Sequence, residues 1–248
     1  MQWQNDFHNH SALFLVAMHF TCKPASDHSL LISFGNEISL AQNRLVHGLA
    51  QKILARRAPF IRDIHPAYCS ILLVFDPQLA NLQQVETYVC DLAEHAFETF
   101  ATAVRLVEIP VCYADEFAPD LPFVAAHNQL THEEVIAIHT SGVYRVYFLG
   151  FSPGFAYLGG LSPKIFAPRL ASPRMHVPAN SVAIGGEQTA IYPMSTPGGW
   201  RLIGRTPLRM FNAERAEPAW LALGDEVRFV AISRAEYERW EEPQTRGS

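Results

Sequence analysis

The chain has 248 residues, of which 49% are apolar and 17% are charged. This length allows one large domain or two small ones, and the ample apolar content with few charges argues against intrinsic disorder. A formal net charge of −5 without any run of five Lys or Arg residues excludes the basic footprint of a nucleic-acid-binding protein.

Residues 1–22 are expected to form an extension outside the fold. Their apolar run, Ala12–Met18, is preceded by Asp6 and by no Lys or Arg, so it lacks the positive segment of a secretory signal. No apolar stretch of the chain approaches membrane-spanning length. The four cysteines include no CxxC pair and are typical of buried thiols in a reducing compartment. We therefore predict a cytoplasmic protein with no membrane partner.

Residues 23–108 alternate between strand and helix patterns. The predicted elements are a strand at Leu30–Phe34, a helix after Ser39, strands at Phe60–Ile64 and Cys69–Phe75, a helix from Asn81, and a strand at Val104–Ile109. Apolar residues recur at helical spacing in both helices, and each helix opens on a possible capping box, Ser39-x-x-Gln42 or Asn81-x-x-Gln84. The order β-α-β-β-α-β predicts a ferredoxin-like domain within an α+β protein.

Residues 109–236 follow a different pattern. Two short helices, Pro119–His127 and Thr131–His139, come first, and helical periodicity fades after Val143. The predicted strands beyond that point are Val143–Leu149, Val182–Ile184, Ala190–Tyr192, Trp200–Ile203 and Val227–Ile232. Many short strands separated by Gly and Pro turns are typical of a β-barrel or a sandwich. Residues 237–248 are expected to form a C-terminal tail.

The segment from Arg145 to Phe211 is unusual in both backbone and charge. It holds nine of the 14 glycines, eight of the 17 prolines, seven basic residues and one acid, Glu187, which gives a formal charge of +6. Backbone that is fixed by Pro and freed by Gly often lines a site. Tight turns alone would explain the Gly and Pro content but not the charge, so we predict a site that faces an anion.

Polar residues in and near this segment are the candidates for the site. The candidate catalytic residues are His127, Arg205 and Gln188, and the candidate substrate contacts are Asn128, Ser152, Gly154, Thr189, Gly198, Gly199 and Trp200. An arginine can hold a carboxylate or phosphate through two parallel hydrogen bonds, and an amide or hydroxyl beside a glycine pair suits a small polar ligand. The alternative for each is a structural role as a cap, a turn residue or a loop arginine.

Several well-known catalytic motifs are missing from the sequence. It contains no GxxxxGK[ST] phosphate loop, no GxSxG nucleophile elbow and no HExxH zinc motif. The eleven histidines are scattered, and we predict no metal site.

Long phrases in the second domain carry a resemblance to a known family. They include YRVYFLGF, YLGGL, PRMHVPA, PGGW and LIGRTP, and the similarity runs from Lys23 to Phe229. The chain resembles the family of 5-oxoprolinase B subunits (PxpB), also called KipI-like or allophanate hydrolase subunit 1. The resemblance implies a cyclophilin-like β-barrel. It also implies a complex with two further proteins, the A subunit of 5-oxoprolinase and a cyclophilin-like C subunit (KipA-like, or allophanate hydrolase subunit 2-like).

The resemblance also implies a reaction. Such complexes open 5-oxoproline to glutamate with ATP as a co-substrate, together with magnesium, and no tightly bound cofactor is expected. Phosphorylation of the amide oxygen would activate the ring carbon toward water, and every stage of that route is anionic, which suits a basic segment. Two alternatives remain: a KipI-like protein that inhibits a sensor histidine kinase, and a protein related to allophanate hydrolase or urea carboxylase.

Five positions that usually hold glycine in that family hold other residues here: Ala114, Ala118, Asn180, Glu187 and Ala190. If those glycines served a positive φ angle, the loops must have shifted, because Ala and Glu adopt that region poorly whereas Asn tolerates it. If they served close approach of a ligand, the pocket is narrower and Glu187 adds a negative charge. Loss of these glycines would favour the regulatory alternative.

Overall fold

A computed structural model of the protein describes residues 20–94 and 104–241. The chain divides into two compact units, residues 1–102 and residues 103–248. Most of the predicted N-terminal extension and residues 242–248 of the predicted tail lie outside the described residues. Thr21 and Cys22, which the sequence placed in the extension, belong to the first strand. None of the described helices is both long and apolar enough to cross a membrane.

The described part of the first unit is a four-stranded antiparallel sheet with two helices. Its elements are β1 (Thr21–Ser26), β2 (Ser29–Ser33), α1 (Leu40–Arg56), β3 (Ile61–Pro66), β4 (Ser70–Phe75) and α2 (Leu82–Glu94). The strand order is β1-β2-β4-β3. Alternate residues of β2 and β4, such as Leu30 and Leu73, pack against helix residues such as Leu49 and Val89, and all four are fully buried.

Local capping fixes where the helices of the first unit begin. The Ser39 hydroxyl accepts the Gln42 backbone N–H at 3.2 Å, which is one half of the predicted capping box. At the second helix both halves are present, because Asn81 and Gln84 each accept the other's backbone N–H at 2.9 Å. The sequence therefore predicted both helix starts correctly.

The ferredoxin-like prediction for the first domain is not confirmed. The strand expected at Val104–Ile109 is β5 (Leu106–Cys112), which lies in the second unit and pairs in parallel along its whole length with Glu226–Ile232. In a ferredoxin-like domain that strand would lie at the edge of the first sheet beside β2. Here β1 occupies this edge and pairs with β2. The predicted domain boundary at residue 108 therefore falls inside a barrel strand. The sequence could not show this, because an apolar strand pattern does not reveal which sheet the strand joins.

The second unit is a β-barrel with short helices, as the short-strand pattern predicted. Its further elements are α3 (Leu121–His127), α4 (His132–Ser141), β6 (Tyr144–Leu149), β7 (Ala156–Gly159), β8 (Arg174–Val177), β9 (Ser181–Gly185), β10 (Gln188–Ile191), β11 (Thr196–Gly198), β12 (Arg201–Arg205), β13 (Glu226–Ile232) and α5 (Arg234–Glu238), with a 3-10 turn at Pro163–Ile165. Seven strands close in the order β10-β7-β6-β13-β5-β12-β9, and β8 and β11 form a separate two-stranded ribbon. The predicted tail thus begins inside α5.

Side-chain alternation gives the barrel wall two apolar faces. The inner face joins a large core with residues such as Val182, Ile184 and Ile203. The outer face of β9 and β10 carries the small residues Ala183 and Ala190, which are fully buried under an aromatic layer. The barrel wall is therefore covered on this side and does not face solvent.

Four of the five replaced glycine positions adopt ordinary backbone angles. Among the described non-glycine residues, Asn180 has a positive φ of 64°, and neither Ala114, Ala118, Glu187 nor Ala190 does. The residue before Glu187, Gly186, supplies the positive φ of that turn at 67°. Asn is one of the few residues that tolerate the left-handed region, so these replacements leave the loops unstrained.

His139 of α4 is fully buried in the barrel core. Its Nδ1 accepts the Tyr113 hydroxyl at 2.8 Å, and its Nε2 donates to Thr189 Oγ1 at 3.1 Å. We assign this tautomer because the single Thr189 hydroxyl proton is donated to the Ala183 carbonyl at 3.0 Å. Phe229 stacks on the ring at 4.4 Å. Burial lowers the pKa of His139 from 6.5 to about 3, so the imidazole is neutral.

Acidification from pH 7 to pH 5 is expected to lower the free energy of unfolding of the barrel by about 2 kcal/mol through His139 alone. An unfolded histidine takes up its proton near pH 6.5, whereas folded His139 stays neutral down to about pH 3, so stability falls across that window. Urea unfolding followed by tryptophan fluorescence measures this, because Trp200, Trp220 and Trp240 all lie in the second unit. The non-titrating variant His139→Gln should show a flatter dependence, and equal slopes for both proteins would contradict the assignment.

Candidate functional site

Gln188 and Thr189 were predicted to contact a ligand together, but they point to opposite faces of β10. Thr189 faces the barrel core and binds His139. Gln188 pairs with Gly185 of β9 on the outer face, where a Cβ at Gly185 would overlap the Trp200 indole. One ligand cannot touch both side chains across the sheet. Gln188 lies beside Trp200, and Thr189 is part of the core.

An aromatic layer covers the outer face at this point. We call it the aromatic wall, and it consists of Phe155, Tyr157, Tyr192 and Trp200. Its rings meet edge to face or tilted, with Trp200 5.9 Å from Phe155 and 6.0 Å from Tyr157. Such contacts hold the rings in fixed positions. The predicted Gly198 also belongs here, because a Cβ at that position would overlap the Tyr192 hydroxyl.

The predicted Ser152 and Gly154 lie in the loop between β6 and β7, at the edge of the same wall. Phe151 of this loop has a φ of 70° and packs edge-on against Phe155 and Tyr192. The Ser152 hydroxyl is buried and has no hydrogen-bond partner among the described residues. Gly154 adopts a φ of 80° against Phe211. The structure therefore brings this loop and Gly198-Gly199-Trp200 to one side of the barrel.

A buried carboxylate organises the basic residues beside the wall. Asp120 precedes α3, and its Oδ2 accepts the Leu202 backbone N–H at 2.7 Å while its own N–H donates to Leu202 O at 3.0 Å. Its Oδ1 accepts Arg174 Nη2 at 2.9 Å and lies 3.8 Å from Arg201 Nη1. The Asp120 side chain is 8% exposed. A carboxylate so enclosed fixes both guanidinium groups in place.

Arg169 completes the group, which we call the arginine cluster: Arg169, Arg174 and Arg201. The Arg169 guanidinium stacks 5.3 Å from the Trp200 ring centroid. Arg201 Nε donates to the Pro168 carbonyl at 3.0 Å, so the loop that carries Arg169 is held over β12. Three arginines against one carboxylate leave a formal charge of +2 beside the aromatic wall. Guanidinium groups that are held in this way can bind a small anion.

His127 and Asn128 lie next to the arginine cluster, at the end of α3. The His127 ring stacks on Phe123 at 5.7 Å, and the Arg201 guanidinium also lies over Phe123, at 3.5 Å. His127 is exposed. The Asn128 amide donates to the carbonyls of Val124 and Phe166, at 2.9 and 3.1 Å. These two hydrogen bonds give Asn128 a structural role, which the sequence offered as the alternative to a contact with substrate.

Arg205 lies apart from the arginine cluster. It is the last residue of β12 and Arg201 is the first, so about 13 Å of strand separates them. The Arg205 guanidinium packs 4.9 Å from the Phe117 ring centroid, and its Nε is buried without a hydrogen-bond partner among the described residues. Phe117 in turn packs on Tyr237 at 4.6 Å. The two ends of β12 therefore carry two separate basic positions.

Sequence reasoning missed the site's central residue, Asp120. A signal was present, because the segment of charge +6 requires some anion and Asp120 lies at the start of the predicted helix Pro119–His127. The three arginines were counted in that segment but were not singled out. Among residues 20–94 and 104–241, no group of three or more His, Cys, Asp or Glu side chains is placed to hold a metal ion.

Comparisons with known proteins agree with this architecture. The family described as "Carboxyltransferase domain, subdomain C and D" matches residues 20–221. The B subunit of 5-oxoprolinase from Bacillus subtilis (strain 168) is 43% identical over 237 residues, which are 92% of this chain and 99% of that protein. The corresponding B subunit from Haemophilus influenzae is 50% identical over 211 residues, or 84% of this chain and 95% of that protein.

A solved structure, that of TTHA0988, resembles the fold. It superposes with a TM-score of 0.75 at 37% identity and covers 83% of this chain. The match spans 40% of the TTHA0988 chain, so that protein has a large part that this chain does not match.

The substitution Asp120→Asn is expected to lower the free energy of unfolding of the barrel by about 2–3 kcal/mol, because it leaves Arg174 and Arg201 without their carboxylate. The measurement is urea unfolding at neutral pH, followed by tryptophan fluorescence. The matched control is Asp115→Asn, an exposed carboxylate on the preceding loop, for which we expect less than about 0.5 kcal/mol. Equal effects of the two substitutions would contradict a central role for Asp120.

Proposed function

The chain belongs to the carboxyltransferase subdomain C and D family and, within it, to the B subunits of 5-oxoprolinase, and we propose that it acts as the B subunit in a 5-oxoprolinase complex. The support is the match along nearly the whole length of the Bacillus subtilis protein. The arginine cluster gives that assignment a physical basis, because its formal charge of +2 suits an anionic substrate.

The proposed reaction is ATP-dependent opening of the 5-oxoproline ring to L-glutamate. Phosphoryl transfer from ATP to the lactam oxygen would yield ADP and an activated ring carbon. Attack by water on that carbon, cleavage of the ring C–N bond and release of phosphate would then yield glutamate. Every stage of this route carries negative charge that fixed guanidinium groups and backbone N–H groups can stabilise. Magnesium would enter with the ATP phosphates.

The complex would include two further proteins, the A subunit and a cyclophilin-like C subunit. The TTHA0988 structure supports an assembly of this kind, since a region like this chain occupies only 40% of that longer chain. We place the complex in the cytoplasm because none of the four cysteines, all of them in the described residues, forms a disulfide, which is typical of a reducing compartment.

Several residues predicted from the sequence are carried into this proposal. Gln188, Gly198, Gly199 and Trp200 line the outer face at the aromatic wall, with the Ser152–Gly154 loop at its edge. His127, exposed beside Phe123, is the candidate for proton transfer. Thr189 and Asn128 have structural partners and are given no role in binding.

Arg205 is proposed to stabilise an anion at the far end of β12. Its Nε is a buried donor without a partner in the described part of the chain, and an oxyanion from a ligand or from another protein of the complex would satisfy it. This position is separate from the arginine cluster, so the two basic positions can hold different anions.

The experiment is 5-oxoproline-dependent ADP release, measured with the full chain alone and with its candidate A and C subunits. Turnover is expected only with the partners. Under those conditions Arg205→Ala should reduce turnover at least about 100-fold, the usual loss for a donor to a developing anion. Circular dichroism checks that this variant is folded.

The matched control is Arg228→Ala on β13, which removes an exposed arginine that pairs with Glu108 at 3.6 Å. Its turnover should equal that of the wild type. An assembled, soluble complex that leaves 5-oxoproline untouched would contradict the proposed function, and inhibition of a sensor histidine kinase would then be the next activity to measure.

A further inference from the structure

The Arg205 side chain is held by packing alone. Its guanidinium group lies 4.9 Å from the Phe117 ring centroid, and it makes no hydrogen bond or ion pair with any side chain or carbonyl that the structure describes. Its partners across the barrel wall, Cys112 and Ser181, pair with it as strand neighbours. A guanidinium group carries five N–H donors in a rigid plane. The position of the Phe117 ring therefore decides where these donors point.

Helix α5 holds the Phe117 ring from the other side of the contact. Tyr237 is the half-buried residue of this helix, whose other residues are exposed, and its ring packs on Phe117 at 4.6 Å. A capping box starts α5 directly after β13, because the Ser233 hydroxyl accepts the Glu236 backbone N–H at 3.2 Å and Glu236 Oε2 accepts the Ser233 backbone N–H at 2.7 Å. Tyr237 is thus placed against Phe117 by a fixed helix start.

The same helix engages the carboxylate that precedes Phe117 in the chain. Arg234 of α5 forms an ion pair with Glu116 and also donates through its Nε to Glu238 Oε1 at 2.8 Å. A free carboxylate next to Phe117 would attract the guanidinium group that stacks on that ring. Because Arg234 holds Glu116, Arg205 keeps its positive charge available to an anion from outside the chain.

These contacts of α5 contribute little to the stability of the barrel. The side chains of Arg234 and Glu116 are 61% and 42% exposed, and ion pairs in such positions add almost nothing to the free energy of unfolding. No residue of α5 is buried, so the helix lies outside the barrel core. Its effect is therefore on the direction and the charge of the groups at this end of β12.

We propose that α5 prepares Arg205 to bind an anion: Tyr237 holds the Phe117 ring against the guanidinium group, and Arg234 keeps Glu116 away from it. This assignment rests on the proposed function, which gives Arg205 the role of stabilising an anion. Tyr237 and Arg234 are positioning residues, because they act through Phe117 and Glu116. Arg205 is the residue that touches the anion.

The binding test follows the Arg205 Nε–H signal by NMR in the full chain, with inorganic phosphate as the probe anion. The signal is assigned by its loss in Arg205→Lys. We expect a saturable shift in the wild type and, in Tyr237→Ala, an affinity for phosphate that is lower by about threefold or more, because Phe117 is no longer held. Tyr237→Phe keeps the ring and should match the wild type. Wild-type affinity in Tyr237→Ala, or no shift in the wild type, would overturn the proposal.

Charge variants test the part played by Arg234. Arg234→Gln releases Glu116 and is expected to lower the affinity for phosphate by about threefold, whereas the double variant Arg234→Gln/Glu116→Gln should restore it. The matched control is Arg239→Gln, which removes an equal charge from the exposed residue that follows α5 and should match the wild type. Wild-type affinity in Arg234→Gln, or a loss that persists in the double variant, would overturn the role of Arg234.

Kinetics of the assembled complex distinguish failure of this proposal from failure of the proposed function. If both hold, Tyr237→Ala lowers turnover of 5-oxoproline by about threefold or more but has no further effect in an Arg205→Ala background, because it acts through that residue. A further loss in that background would show a merely structural role and overturn the proposal. If the wild-type complex does not turn over but the NMR shifts follow the expected pattern, the role of α5 stands and the proposed function fails.

Discussion

The buried carboxylate of Asp120 is the interaction on which the candidate site depends. It fixes the start of α3 to β12 through the Leu202 backbone, and it holds two arginines from separate segments of the chain. Without this carboxylate, Arg174 and Arg201 would repel each other in a partly buried position. Two guanidinium groups beside one carboxylate leave a net positive charge, and this charge is available to a ligand. Asp120 thus stabilises the barrel and also holds the arginines that make the site positively charged.

Side chains alternate across the barrel wall, so residues that form the core point inward and residues near the candidate site point outward. The inward residue Thr189 and His139 of α4 are hydrogen-bonded to each other in a core that keeps the imidazole neutral. Outward residues are small where the wall is covered by aromatic rings, and this allows Trp200 to lie flat over Gly185. Strand β10 carries both kinds of residue in adjacent positions. The function proposed here belongs to the outer face.

The sequence predicted local features well and long-range features less well. Capping patterns located the helix starts at Ser39 and Asn81, because a cap is decided within four residues. Edge strand β1 was missed because Thr21–Ser26 is mostly polar and exposed. The strand at Leu106–Cys112 was recognised but given to the wrong unit, since its parallel partner begins at Glu226, far along the chain. The same limit hid Asp120, whose partner Arg174 is 54 residues away.

A crystal structure of the full chain would test the central claim most directly. The account predicts that the Asp120 carboxylate accepts the Leu202 backbone N–H and lies within hydrogen-bond distance of the Arg174 guanidinium group. An Asp120 carboxylate that faces solvent, with Arg174 bound to another group, would contradict the account.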